Sequence, residues 1–133
     1  MSAEKVLLDT SVWIDYFQNS SSPISEEVDR ILSEDEVHVP KIVIAELIQG
    51  AKTSKEIAVI EDFLEAFYII DQREDTWIKA GWLSYDLKKK GKSIHLLDCY
   101  IAIMAQQFEC KIFTLNRHFK AIKKVTNISL IEI

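Results

Sequence analysis

Three acids in this chain of 133 residues occupy positions where a carboxylate is costly. Asp9 closes the apolar run Val6-Leu7-Leu8 and is followed by two hydroxyl residues, Thr10 and Ser11. Glu46 follows Ile42 and Val43 by four and three residues, on one side of a helical pattern. Asp98 heads a stripe of Ile101, Ala102 and Ala105, its neighbours on the same helix face. Charged side chains are rarely buried unless they are paired or ligate a metal. Each acid also has an ordinary role open to it. Asp9 could cap the helix that follows, Glu46 could sit in a buried ion pair, and Asp98 could favour a helix N-terminus. Three carboxylates in one crevice raise one another's pKa, and a hard divalent cation with oxygen ligands, Mg²⁺ or Mn²⁺, removes that conflict.

The elements that must carry these acids follow from the apolar pattern. Val6–Leu8 reads as a short buried strand, and Ser11–Gln18 as a helix bearing Trp13, Ile14, Tyr16 and Phe17. Ser22 caps a helix with Pro23 at its first position, running to about Ser33. Val37–Val39 is a strand, Pro40–Gln49 a helix stopped at Gly50, Lys55–Ala66 a helix and Phe67–Ile70 a strand. Glu74–Lys90 is the longest helical pattern, ended by Gly91. Its core face holds Ala80, Leu83 and Leu87, while Ile78, Trp82 and Tyr85 lie nearly opposite and call for a covering partner. Asp98–Gln107 is a helix, Lys111–Phe113 a strand, Asn116–Lys124 mostly helix and Ile128–Ile131 a last strand. Strands alternating with helices give an α/β fold, a single domain over residues 1–133 with a mainly parallel sheet of about five short strands. Ligands of such sheets sit at the carboxyl ends of the strands. If the first strand and Lys111–Phe113 are neighbours, Asp9 and Asn116 reach one crevice.

Composition places the chain among ordinary globular domains, with 48% hydrophobic and 28% charged residues. No apolar run approaches a membrane span, and the first residues show no basic-then-apolar leader pattern. Cys99 and Cys110 lack a Cys-x-x-Cys spacing and are expected reduced, in a cytoplasmic protein. The net charge of −5 hides an asymmetry. Residues 1–87 carry 7 Lys/Arg against 18 Asp/Glu, whereas residues 88–124 carry 9 against 2. Local field matters more than the total for a polyanion.

The segments Asp9-Thr10-Ser11, Glu46, Gly91…Ile94…Asp98…Ile101-Ala102 and Thr114-Leu115-Asn116-Arg117-His118-Phe119, in that order and spacing, resemble the PIN-domain ribonucleases. Among these the chain is most similar to the VapC-type toxins of toxin–antitoxin pairs. The resemblance covers nearly the whole chain. It implies a three-layer PIN fold, an acidic pocket binding Mg²⁺ or Mn²⁺, and cleavage of RNA phosphodiester bonds. Asp9, Glu46 and Asp98 match three pocket acids. Asn116 and His118 stand where the resemblance expects acidic positions, with Asn116 as a neutral oxygen ligand. His118 and His95 are expected at the surface or in packing, with acid–base work a lesser role, and His38 is expected to be structural. Thr10 and Ser11 either cap the helix or position a water or phosphate oxygen. Lys88, Lys89, Lys90 and Lys92 precede Asp98, and Arg117, Lys120, Lys123 and Lys124 follow Asn116; both groups are expected along the RNA backbone.

The resemblance also implies a VapB-like antitoxin whose tail crosses the toxin. Trp13, Tyr16 and Phe17 are either an apolar groove for it or core. A homodimer through Ile78, Trp82 and Tyr85 is expected as well. Two readings compete with a toxin: an RNA-processing PIN nuclease outside such pairs, and a non-catalytic PIN module that holds RNA or protein without cutting. Asn116 and His118 favour the second.

Overall fold

The computed structural model describes residues 3–18 and 21–132. Its centre is the strand β1 (Lys5–Leu8), where Val6, Leu7 and Leu8 are fully buried. A run apolar at every position suits a strand covered on both faces, as parallel strands are. After it come α1 (Thr10–Gln18), α2 (Pro23–Glu34), β2 (Glu36–Pro40), α3 (Lys41–Gln49), α4 (Ser54–Leu64) and β3 (Tyr68–Ile70). The chain continues through α5 (Thr76–Lys89), α6 (Leu96–Gln107), β4 (Lys111–Phe113) and α7 (His118–Lys123).

The sheet has four parallel strands in the order β3-β2-β1-β4, flanked by helices. Leu7 is level with His38 on one side and Ile112 on the other, so β1 and β4 are neighbours and their carboxyl ends lie side by side. Asp9 extends that pairing by one bond, its N–H donating to Phe113 O at 3.2 Å. The expected fifth strand at Ile128–Ile131 reduces to one parallel bridge between Leu130 and Ile112. Two backbone bonds tie it to β4, Ile112 N–H to Ser129 O at 2.8 Å and Ile131 N–H to Ile112 O at 2.9 Å, while Gln106 Nε2 donates to Asn127 O at 2.7 Å just before it.

Local signals place the helices. Ser22 accepts from Ser25 N–H at 3.0 Å and caps α2 behind Pro23. Gly91, at φ +79°, closes α5 in the left-handed region, and Lys92 N–H returns to Leu87 O at 2.8 Å. α6 begins at Leu96, two residues before the expected start, because His95 caps it: its Nδ1 accepts from Leu97 N–H at 3.3 Å. Asp98 therefore sits in the first turn of α6, where a negative charge is favoured. α5 buries Ala80, Leu83 and Leu87 and leaves Ile78, Trp82 and Tyr85 exposed, as its two-faced pattern predicts. Trp13 is fully buried, stacked on Phe17 and edge-on to Phe63, so it belongs to the core and not to a groove. Tyr16 and Phe17 are half-buried beside it. His38 is buried, stacked on Tyr68 across the β2–β3 pair.

Candidate active site

The site grows from the carboxyl end of β1. Asp9 is buried and its two oxygens do different work. Oδ1 accepts from Val12 N–H at 3.3 Å and from the Ser11 hydroxyl at 2.6 Å, which caps α1. Oδ2 faces away from the helix and accepts a short hydrogen bond from the Thr114 hydroxyl, which follows β4. The capping and pocket roles of Asp9 thus coexist on one side chain. Burial is the main force pushing its pKa above the ordinary carboxylate value. The hydrogen bonds from Ser11, Thr114 and Val12 oppose that shift, and the charge of Asp98 adds to it. Asp98 is thus close enough for its charge to be felt at Asp9.

The loop after β4 joins these two acids. Thr114 Oγ1 accepts Asn116 N–H at 2.9 Å, and Ser11 Oγ accepts Leu115 N–H at 3.1 Å, which ties the loop to the start of α1. Asn116 spans two partners. Its Oδ1 accepts His118 N–H at 2.9 Å, and its Nδ2 donates to Asp98 Oδ2 at 3.2 Å. The amide thus meets Asp98 through nitrogen, with its oxygen engaged at the start of α7. His118 also lies against the acid, Nδ1 3.2 Å from the same Oδ2. Sequence pattern had set this histidine at the surface or in packing. Its ring is half-exposed, yet its contact is with a site carboxylate.

Glu46 joins from α3 by a separate contact. Thr10 donates its hydroxyl to Glu46 Oε1 at 2.8 Å, so this acid is held beside the residue that follows Asp9. Thr10 and Ser11 consequently each hold a site carboxylate, Ser11 while also completing the cap. Thr114 is the residue whose part pattern alone did not assign. Its position directly after a buried strand, two residues before Asn116, was the available signal.

The donors are chiefly oxygens of carboxylate, amide and hydroxyl groups, a hard set suited to Mg²⁺ or Mn²⁺. Among the described residues no three Asp, Glu, His or Cys side chains form a ready-made cage. The charge of Asp98 is felt at Asp9, so the two acids face one region at the end of β1.

Lys88, Lys89, Lys90, Lys92, Arg117, Lys120, Lys123 and Lys124 are all exposed. The first group ends α5 and leads into the loop before Asp98; the second opens and follows α7 just past Asn116. Among the described residues no helix is long and apolar enough to cross a membrane.

The pattern of the PIN domain family matches residues 6–125. The chain belongs to the PIN domain family. Similar proteins include the ribonuclease VapC1 of Methanocaldococcus jannaschii, 34% identical over 122 residues that make up 90% of this chain and 82% of that protein. The ribonuclease VapC11 of Mycobacterium tuberculosis is 26% identical over 128 residues, 92% of this chain and 95% of that one. A solved structure of VapBC-1 from nontypeable Haemophilus influenzae matches this PIN domain with a TM-score of 0.76 at 25% identity, over 96% of this chain and 97% of that chain. The expected fold and family are therefore borne out, with four strands in place of five.

Proposed function

We propose that this PIN domain is an endoribonuclease of the VapC type, the toxin of a toxin–antitoxin pair, acting in the cytoplasm with Mg²⁺ or Mn²⁺. One observation carries the reading. Asp9 is buried at the carboxyl end of β1 and feels the charge of Asp98, while Thr114 and Asn116 from the end of β4 hold the two acids. The ribonuclease names of relatives that span most of the chain support it.

Asp9 and Asp98 would hold the cation, with Glu46 beside them. When bound, the ion supplies charge neutralisation and Lewis acidity at the scissile phosphate. The protein's own groups do the positioning. Thr114 and Ser11 fix the Asp9 carboxylate, leaving it little freedom to lose when a ligand arrives. Thr10 orients Glu46, whose carboxylate is the proposed acceptor of a proton from the attacking water. The exposed lysines of residues 88–92 and Arg117 with Lys120 would track the RNA backbone on either side of the acids. Such contacts carry affinity and not sequence, and single-stranded loops are the most accessible target.

A VapB-like antitoxin is the proposed partner, in keeping with the VapBC-1 complex whose toxin fold this chain shares. The strongly acidic residues 1–87 suit a basic tail. A homodimer is proposed through Ile78, Trp82 and Tyr85, which are 66%, 63% and 50% exposed and line a shallow pocket with Gly81.

The test is cleavage of RNA by purified protein freed of any partner, with Mg²⁺ or Mn²⁺ and with chelator, and mapping of the new ends for wild type beside Asp9→Asn. Discrete ends that need the metal and vanish in the variant support the proposal. Identical ends in both proteins sink it. RNA binding without cleavage would turn the reading to a non-catalytic module.

A further inference from the structure

The mechanism above gives His118 no task, yet its direction is tightly set. Phe119 and Ile122 are fully buried and anchor the six-residue α7. Asn116 Oδ1 holds the His118 N–H at 2.9 Å. With its backbone fixed in this way, the imidazole presents Nδ1 to Asp98 Oδ2 at 3.2 Å. An exposed ring gains little from one carboxylate contact and could as well point to solvent.

The pair has the spacing of two adjacent ligands. An octahedral ion with bonds of about 2.1 Å separates neighbouring donor atoms by about 3 Å. The same carboxylate oxygen also accepts Asn116 Nδ2 at 3.2 Å, which fixes its direction as outer hydrogen bonds commonly do for ligating carboxylates. Imidazole suits later transition ions and carboxylate suits Mg²⁺, Ca²⁺ and Mn²⁺, with affinity for a given site rising from Mn²⁺ onward. A seat of one imidazole nitrogen beside carboxylate oxygens therefore favours Mn²⁺ over Mg²⁺. These two do not form a cluster of three with another acid or histidine among the described residues, so beyond Asp9, the other acid of the proposed site, water and phosphate oxygens would fill the remaining positions.

We infer that His118, through Nδ1, is a direct donor to the divalent cation held at Asp98 and tilts the site toward Mn²⁺. This rests on the cation site proposed above, and the experiment separates the two. Mn²⁺ is added to RNA-free protein and its nitrogen couplings are read by pulsed electron paramagnetic resonance. Mn²⁺ and Mg²⁺ affinities are measured in parallel for wild type, His118→Gln, His118→Asp and Asp98→Asn. Wild type is expected to show an imidazole coupling that both His118 variants lose. His118→Gln should weaken Mn²⁺ binding about tenfold or more, with Mg²⁺ binding changed far less. His118→Asp should lose the coupling and bind Mg²⁺ more tightly than wild type, which separates a lost ligand from a damaged fold. Bound Mn²⁺ without nitrogen coupling, or a coupling that survives in His118→Gln, overturns the inference and leaves the cation site standing. Mn²⁺ binding that is absent, or unaffected by Asp98→Asn, overturns both.

Discussion

Thr114 donates its hydroxyl to Oδ2 of Asp9 across 105 residues of sequence, and this bond joins the carboxyl ends of β1 and β4. The same hydroxyl oxygen accepts Asn116 N–H at 2.9 Å, so one side chain orients both the buried acid and the loop that reaches Asp98. Thr114→Val keeps the shape and removes both contacts. The buried acceptor then loses a partner, at a cost of about 1–3 kcal/mol in stability. RNA cleavage should fall by more than the stability loss explains at temperatures where the variant is fully folded. Thr114→Ser should recover most of both. Denaturant melts beside initial cleavage rates check this, and a Val variant with wild-type turnover refutes the positioning role.

Asp9 strains the fold it serves. Burial raises its pKa from the ordinary 3.8, so the folded chain takes up this proton at a higher pH than the unfolded chain does. Stability linked to Asp9 therefore falls as pH rises through that window, and the cost is fully present above the raised folded value. Asp9→Asn has no charge to bury, and its amide oxygen can still accept from Ser11 and Val12. The variant should melt higher than wild type at neutral pH while losing cleavage. Its advantage should shrink as pH falls toward 3.8. Melting temperatures of both proteins from pH 7 down to pH 4 decide the matter; an advantage that does not vary with pH counts against it.

Much of this arrangement was legible in the chain because burial imposes a period. Val6-Leu7-Leu8 reads as a covered strand by its length and unbroken apolar character, and Ile101, Ala102 and Ala105 fixed the face of Asp98. What stayed hidden depends on contacts between distant residues. Nothing near Asp9 announces that its second oxygen is held from β4. The last segment has the apolar content of a strand, yet it meets β4 at Ile112 as a single bridge. His118 lies in a helix of six residues, too short to display a periodic face, and its aim follows from where Phe119 and Ile122 are buried.

Asn116 meets Asp98 through its amide nitrogen. It offers a neutral N–H to Oδ2 where a carboxylate would repel. Asn116→Asp should still cap His118 N–H but set two like charges together. The metal-free variant should melt lower than wild type, and saturating Mn²⁺ should raise its melting temperature by more than it raises that of wild type. Equal increments in the two proteins would show that this side chain does not face the ion.

The lysines at the end of α5 are predicted to act on binding alone. Lys88, Lys90 and Lys92 are exposed, and none of the hydrogen bonds that hold Asp9, Glu46 or Asp98 involves them. Replacing all three with Gln should weaken affinity for a single-stranded RNA and flatten its dependence on salt by about two units of slope. Turnover at saturating RNA should stay near wild type. A loss of turnover without a change in salt slope would mean that these residues act at the chemical step and not along the backbone.

The exposed face of α5 gives the last prediction. Trp82 meets Tyr85 edge-on at 5.7 Å, and Lys89 lies 5.1 Å over the Tyr85 ring, so the aromatic pair contacts its own helix while much of it faces solvent. Gly81 lines the same shallow pocket and a Cβ there would meet nothing within 4 Å, which leaves room for close approach by another helix. Ala80, Leu83 and Leu87 on the opposite face hold α5 to the core, so the exposed face can change without unfolding the helix. Ile78→Ser with Trp82→Ser should leave the denaturation midpoint of a dilute sample near wild type and shift sedimentation from dimer to monomer. A wild-type protein that sediments as a monomer at high concentration, or a variant that remains dimeric, would remove this face from the proposed assembly.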